Sequence, residues 1–108
     1  MMMKKLNIYS NIPEKLSDEI VDVIFQSEII RIERIISDGQ ASPDNFWYDQ
    51  EENEWVILLK GKAKIKYQDQ SEQNLTEGDY IFIPSHKKHR VEWTDNNIKT
   101  VWLAVIFK

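Results

Sequence analysis

The sequence has no cysteine among its 108 residues. Without thiols the chain forms no disulfide, no thiolate zinc site and no cysteine nucleophile. It also has no apolar run of about 18 residues, so we expect no membrane-spanning helix. The segment Met1–Lys5 leads into polar residues rather than the apolar centre of a signal peptide, and we therefore expect a cytoplasmic protein.

An excess of basic residues is the second feature that the sequence lacks. The net charge is −4, which gives no field of Lys and Arg to hold phosphates, so we expect no nucleic-acid partner. Neither a G-x-S-x-G turn nor a phosphate-binding glycine loop occurs. What is present is 42% hydrophobic and 30% charged residues, the balance of one soluble globular domain.

Short apolar segments separated by turn residues predict an all-β sandwich or barrel. The predicted strands cover residues 29–36, 54–60, 62–67, 80–83, 89–94 and 100–107, and residues 46–48 are extended. Strict alternation over 62–67 places Lys62, Lys64 and Lys66 in water. The polar residues 69–74 predict a turn.

One helix is predicted before these strands, over residues 17–26. Ser17 suits its N-cap, and Ile20, Val23 and Ile24 fall on one helical face. Val21 and Phe25 lie beside that face and keep a strand open as the alternative. The prediction divides the chain into an arm with a short helix, residues 1–27, and a β-domain, residues 28–108.

The last predicted strand is apolar on both faces. Val101, Leu103, Val105 and Phe107 need one apolar partner surface, and the residues between them need another. A second subunit would cover the outer face, which predicts a homodimer. The alternative is that the N-terminal helix packs there.

Two spaced motifs resemble those of the cupins, small jelly-roll proteins. The cupin motif G-x5-P-x-G-x2-H-x3-N matches at Gly78, Pro84 and His89, with His86 at its second glycine and Trp93 at its asparagine. The motif G-x5-H-x-H-x3,4-E-x6-G matches only at Glu54 and Gly61. Tyr48 and Gln50 stand at its two histidines, and Ser42 stands at its first glycine.

The resemblance covers about residues 28–107. It implies a cupin-type jelly-roll β-barrel, also called a double-stranded β-helix, of the small single-domain kind whose activity is not assigned. In cupins with both motifs, His and Glu side chains hold Fe, Mn, Ni or Zn. Here the resemblance leaves Glu54 and His89, with Gln50 as a weak third ligand for one divalent transition metal.

The residues support a shared site independently of the resemblance. Tyr48, Gln50 and Glu54 have the same parity along one extended segment, so their side chains can point to one interior face. His89 projects from a facing strand, and Trp93 has the same parity as His89. These five residues are the predicted ligand-binding set: Tyr48, Gln50, Glu54, His89 and Trp93.

Simpler roles exist for several of these residues. Glu54 and His89 can form a buried pair that satisfies both side chains. Asp49 or Glu51 could become ligands if the register slipped by one residue. His86 is expected in solvent, and Arg90 with Glu92 is expected to form a surface pair.

Three functions remain open from the sequence. The first is a protein that binds a small organic ligand in the barrel with a degenerate metal site. The second is a metal-dependent enzyme, a dioxygenase or isomerase, that uses Glu54 and His89 as ligands. The third is a metal-free acid–base enzyme in which Glu54 and His89 move protons. The fold alone does not choose among them.

Overall fold

Antiparallel β-strands make up the domain in the computed structural model, which describes residues 3–108. Their bounds are β1 Ile20–Gln26, β2 Ile30–Ser37, β3 Asn53–Lys60, β4 Ala63–Tyr67, β5 Glu72–Leu75, β6 Tyr80–Ile83, β7 His89–Thr94 and β8 Thr100–Phe107. Across this part of the chain no helix is long and apolar enough to cross a membrane.

The strands form two sheets that enclose the core. The larger sheet has the order β1-β2-β8-β3-β6, and the smaller sheet has the order β5-β4-β7. Val56, Leu58, Trp102 and Ala104 of the larger sheet are buried in one cluster with Ala63 and Ile65 of the smaller sheet. The predicted all-β jelly-roll architecture is confirmed.

The predicted N-terminal helix is wrong, because the chain forms β1 there. β1 pairs with β2 from Ile20 opposite Ile36 to Gln26 opposite Arg31. Its β-branched residues favour a strand, and the free edge of β2 supplies the backbone partners. A β-bulge between Val23 and Phe25 breaks the alternation, so the segment does not show the two-residue period of a strand.

A strand also replaces the later part of the predicted turn at 69–74. β5 pairs with β4 through Ala63 opposite Leu75 and Lys66 opposite Glu72. Of the four β5 residues only Leu75 is buried. β5 is an edge strand, and polar residues are common at sheet edges because they discourage pairing with other chains.

Gly61 makes the close link between β3 and β4. Its φ is +94°, and a Cβ at this position would lie 2.8 Å from the Cα of Thr100. Gly78 has a similar φ of +90°, but a Cβ there would meet no atom within 4 Å. Gly61 is therefore required by both conformation and space, and Gly78 by conformation alone.

The outer face of the larger sheet carries an uncharged patch on β8, β3 and β6. We call it the outer patch; its residues are Trp55, Ile57, Tyr80, Phe82, Leu103, Val105 and Phe107. Trp55 lies against Tyr80, with ring centroids 5.5 Å apart, and Phe82 stacks on Phe107 at 6.3 Å. Tyr80 and Phe82 remain 64% and 54% exposed.

Candidate functional site

A cavity of about 190 Å³ lies between the two sheets. Its walls come from inward-facing residues of both sheets and from the segment between β2 and β3. Much of the surface is apolar, and it is formed by Val21, Ile35, Val56, Ile65, Ile83, Val91, Trp102 and Ile106. The polar residues are Glu19, Arg31, Glu33, Tyr48, Gln50, Glu54 and His89.

Strand register sets the order of groups along the wall from the larger sheet. Ile106 of β8 pairs with Arg31 of β2 on one side and with Glu54 of β3 on the other. Glu54 in turn pairs with Ile83 of β6. Neighbouring strands are about 4.8 Å apart, so the backbones at Arg31 and Glu54 are separated by roughly 10 Å, with Ile106 between them.

Backbone hydrogen bonds hold the segment after β2 against the start of β7. The Tyr48 amide donates to the His89 carbonyl at 2.7 Å, and the His89 amide donates to the Tyr48 carbonyl at 3.2 Å. The His86 amide donates to the Gln50 carbonyl at 2.7 Å. Arg90 fixes the same segment farther back by donating to the Ser42 and Pro43 carbonyls.

His89 presents one nitrogen to the cavity. The side chain is 5% exposed, and Nδ1 lies 2.9 Å from the Lys87 carbonyl oxygen. A carbonyl only accepts, so Nδ1 carries a proton and donates, and Nε2 is the ring nitrogen left for another partner. Tyr48 stacks on this ring with centroids 5.3 Å apart and so fixes its plane.

Glu54 receives its hydrogen bond from Gln50, whose Nε2 donates to Oε1 at 3.0 Å. The structure therefore brings four of the predicted residues to one cavity: Tyr48, Gln50, Glu54 and His89. Within residues 3–108, Glu54 and His89 have different hydrogen-bond partners, so the alternative of a direct pair between them is not observed. Whether these residues bind a ligand stays a prediction.

Trp93 lies outside the cavity, and the prediction that it lines the interior is wrong. Lys64 pairs with Trp93 but Ile65 pairs with Val91, so β7 has an extra residue at this point. This bulge reverses the parity after Val91. Trp93 is 46% exposed, and Thr94, which follows it, is buried.

The other polar residues near the motifs lie on the surface or support the loop. His86 is in solvent as predicted, with Nδ1 2.7 Å from a carboxylate oxygen of Asp49. The register does not slip, because Gln50 rather than Asp49 or Glu51 lines the cavity. Arg90 pairs with Glu92 at 2.9 Å as predicted, although the Arg90 side chain is only 11% exposed.

Three charged cavity residues were missed in the sequence: Glu19, Arg31 and Glu33. Arg31 and Glu33 are two residues apart in β2, and that spacing is the signal that could have placed both on one face. The Arg31 Nε donates to Glu33 at 2.9 Å, and its Nη2 lies 3.6 Å from Glu52. Glu19 was hidden because it lay in the predicted helix.

Burial and negative charge shift two pKa values in the cavity. Desolvation raises the pKa of the Glu19 carboxyl, a hydrogen bond from Ser37 opposes this, and the Glu33 charge adds to the rise. Desolvation also raises the pKa of the Tyr48 phenol, with further contributions from Glu19 and Glu54. Tyr48 therefore remains protonated and can donate a hydrogen bond.

This set of donors does not fit a resident transition metal. In residues 3–108 no three His, Cys, Asp or Glu side chains are placed to hold a metal ion. Gln50 is a neutral ligand whose amide nitrogen is used by Glu54, and Tyr48 is a good ligand only as the phenolate that its raised pKa disfavours. One carboxylate and one imidazole nitrogen remain.

Comparisons with known proteins agree with the architecture. A family model described as the cupin domain matches residues 34–106. The crystal structure of a candidate mannose-6-phosphate isomerase from Ralstonia eutropha JMP134 is 41% identical, with a TM-score of 0.94, and the match covers 98% of this chain and 99% of that one. No curated protein sequence matches the chain.

More distant structures share the fold alone. A cupin superfamily protein from Desulfitobacterium hafniense DCB-2 is 18% identical, with a TM-score of 0.78 and coverage of 99% of this chain and 93% of that one. An RmlC-like cupin protein with a double-stranded β-helix fold, from Methanocaldococcus jannaschii, is also 18% identical, with a TM-score of 0.71 and the same coverage of both chains.

Proposed function

The chain belongs to the cupin family, and from this premise we propose that it is a small-molecule-binding protein whose ligand occupies the cavity between the sheets. The observation that carries the proposal is the His89 side chain. It is 5% exposed, it lines the cavity, and its Nε2 has no hydrogen-bond partner in residues 3–108. Nε2 is not among the unpaired side-chain atoms that are closed off from solvent, so it is open to a molecule in the cavity, and a ligand there would supply the partner.

The size of the cavity limits the ligand. An apolar protein cavity of roughly 150 Å³ holds benzene. A cavity of about 190 Å³ suits a molecule slightly larger than benzene, with a hydrocarbon part against Ile65, Ile83 and Ile106 and a polar part toward His89 and Glu54.

A metal-dependent enzyme is the second candidate, favoured by the name of the Ralstonia relative. In that case Glu54 and His89 would be ligands with Gln50 as the third. Elemental analysis of protein purified without an affinity tag separates the two candidates. About one transition-metal atom per chain, lost in His89→Ala, would favour the enzyme, whereas metal-free protein that binds a small molecule would favour the binding protein.

Binding is best tested with benzyl alcohol, a neutral probe of suitable size, followed through the indole N–H signals in protein NMR spectra. We expect saturable movement of the Trp102 signal, because Trp102 lines the cavity. The Trp55 signal, from the outer patch, should not move. Absence of any saturable Trp102 shift contradicts the proposal.

A matched pair of variants tests whether the probe binds in the cavity. Val91→Phe adds a ring to the cavity wall and should weaken benzyl alcohol binding at least tenfold. Trp93→Phe changes an aromatic residue of the same strand that faces solvent, and should leave binding unchanged. Equal effects of the two substitutions would show that the probe binds elsewhere.

A further inference from the structure

The charges around the cavity are mostly negative. Glu19, Glu33 and Glu54 contribute carboxylates, and Arg31 is the single Lys or Arg among the lining residues. The charge of Arg31 is already compensated, because Glu33 lies 2.9 Å from its Nε and Glu52 lies 3.6 Å from its Nη2. An anionic ligand would find no cationic side chain here without a carboxylate beside it, and it would also face Glu19 and Glu54.

Hydrogen-bond acceptors also line the cavity. The bond to the Lys87 carbonyl uses His89 Nδ1, so Nε2 is the ring nitrogen left for a ligand, and in the neutral ring it accepts. Glu54 accepts one hydrogen bond from Gln50 and has acceptor capacity left, and that bond uses one of the two N–H groups of the Gln50 amide. The Tyr48 hydroxyl and the second Gln50 N–H are donors. A ligand that satisfies His89 Nε2 and Glu54 together must itself donate hydrogen bonds.

His89 and the carboxylates are independent observations that point to one class of ligand. We infer that the cavity binds a small organic cation, an amine whose N–H groups donate to His89 Nε2 and Glu54. Its hydrocarbon part lies against Ile65, Ile83 and Ile106. This inference rests on the proposed binding function and names the chemistry of its ligand.

The titration of the cavity residues agrees with a negative field. The pKa of Tyr48 is raised by desolvation and then by the charges of Glu19 and Glu54, and the pKa of Glu19 is raised partly by Glu33. The same field that disfavours a phenolate disfavours a phosphate, which carries about −1.5 to −2 charges near neutral pH. A phosphorylated sugar is therefore the wrong ligand for this cavity.

Three probes of nearly equal shape test the inference: benzylamine, benzyl alcohol and benzoate. Each is titrated at low salt and in the presence of EDTA, with the Trp102 indole signal as the readout. We expect benzylamine to bind at least tenfold more tightly than benzyl alcohol, and benzoate and mannose 6-phosphate to give no saturable shift. Raising the salt concentration should reduce the preference for the amine.

Charge-neutralising variants identify the source of the preference. Glu54→Gln should reduce the ratio of benzylamine to benzyl alcohol affinity at least threefold. Glu72→Gln removes a carboxylate from the exposed strand β5 and should leave that ratio unchanged. Equal ratios in both variants would mean that the general charge of the protein, rather than the cavity, attracts the amine, which overturns the inference.

The remaining outcomes separate this inference from the function on which it rests. Saturable binding of benzoate or mannose 6-phosphate, or equal binding of amine and alcohol, overturns the cationic ligand but leaves a ligand-binding cavity. Failure of all probes to shift the Trp102 signal overturns the proposed function itself.

Discussion

Glu19 shows how a single cavity residue can work against stability. Part of the residue reaches solvent, but its carboxylate accepts a hydrogen bond from the fully buried Ser37 at 3.2 Å and lies near Glu33. Desolvation is the main cause of its raised pKa. The charged form is therefore less favourable in the folded state than in the unfolded chain, where the pKa is about 4.3.

The sign of this linkage gives a pH-dependent prediction. The protonated group favours folding below the unfolded pKa, and that contribution is lost as the pH rises through the higher folded pKa. Glu19→Gln should raise the free energy of unfolding at pH 7, by no more than about 1 kcal/mol because water reaches the residue. The gain should vanish near pH 4.

Thermal unfolding of both proteins at several pH values measures this difference. Glu72→Gln, on the exposed strand β5, is the control and should show no such trend. A Glu19→Gln protein that is less stable than the parent at pH 7 would contradict the prediction.

At the scale of elements, the link between β3 and β4 depends on the absence of a side chain. Gly61→Ala should destabilise the protein by about 1–3 kcal/mol through its positive φ alone. The contact with Thr100 should add roughly 1 kcal/mol or more, because the new methyl group would overlap its Cα.

Gly78→Ala is the natural comparison, since Gly78 has a similar φ without the contact. Equilibrium unfolding in urea should show a clearly larger loss for Gly61→Ala than for Gly78→Ala. Equal losses would mean that the strands separate enough at Thr100 to accept the methyl group at no cost.

The same elements show which parts of the fold could be predicted from the sequence. Regular alternation identified β4, and the spacing of Gly61, Gly78, Pro84 and His89 identified the fold. Bulges break the alternation elsewhere. The bulge in β1 is the reason that a helix was predicted there, and the bulge in β7 turns Trp93 outward. A bulge is stabilised by the partner strand, so the sequence of one strand carries little sign of it.

The candidate site was predictable where it came from one continuous segment. Tyr48, Gln50 and Glu54 share parity, which predicted a common face for them, and all three line the cavity although residues 49–52 are not part of a strand. Arg31 and Glu33 reach the cavity only because β2 pairs with β8 in a register that sets Arg31 beside Ile106. Pairing between distant strands cannot be obtained from local periodicity, and for this reason Arg31 and Glu33 were not predicted to line the cavity.

For the whole molecule, the outer patch is the feature that an isolated subunit leaves unexplained. The N-terminal arm reaches the β2 part of this face, where Arg34 donates to the Ile8 and Ser10 carbonyls. It is not a helix packed on β8. The uncharged residues of the outer patch can meet their own copies without like-charge repulsion, so the homodimer remains our prediction.

A charge placed in the outer patch tests the dimer. We expect the parent protein to have the mass of a dimer by light scattering after gel filtration, and Phe82→Lys to be a monomer at the same concentration. Trp93→Lys, an equal change on the smaller sheet, should remain dimeric. A parent protein with the mass of a monomer would refute this arrangement.

The position of β1 has a consequence for how quickly molecules exchange with the interior. β1 is an edge strand, held by β2 alone in the larger sheet, and it supplies Val21 to the cavity wall. Strands at an edge open locally at a lower free energy than those in the centre. Fraying of β1 would therefore take Val21 out of the cavity wall while the core between β8 and β4 stays intact, and the residence time of a bound molecule would follow the stability of this one strand.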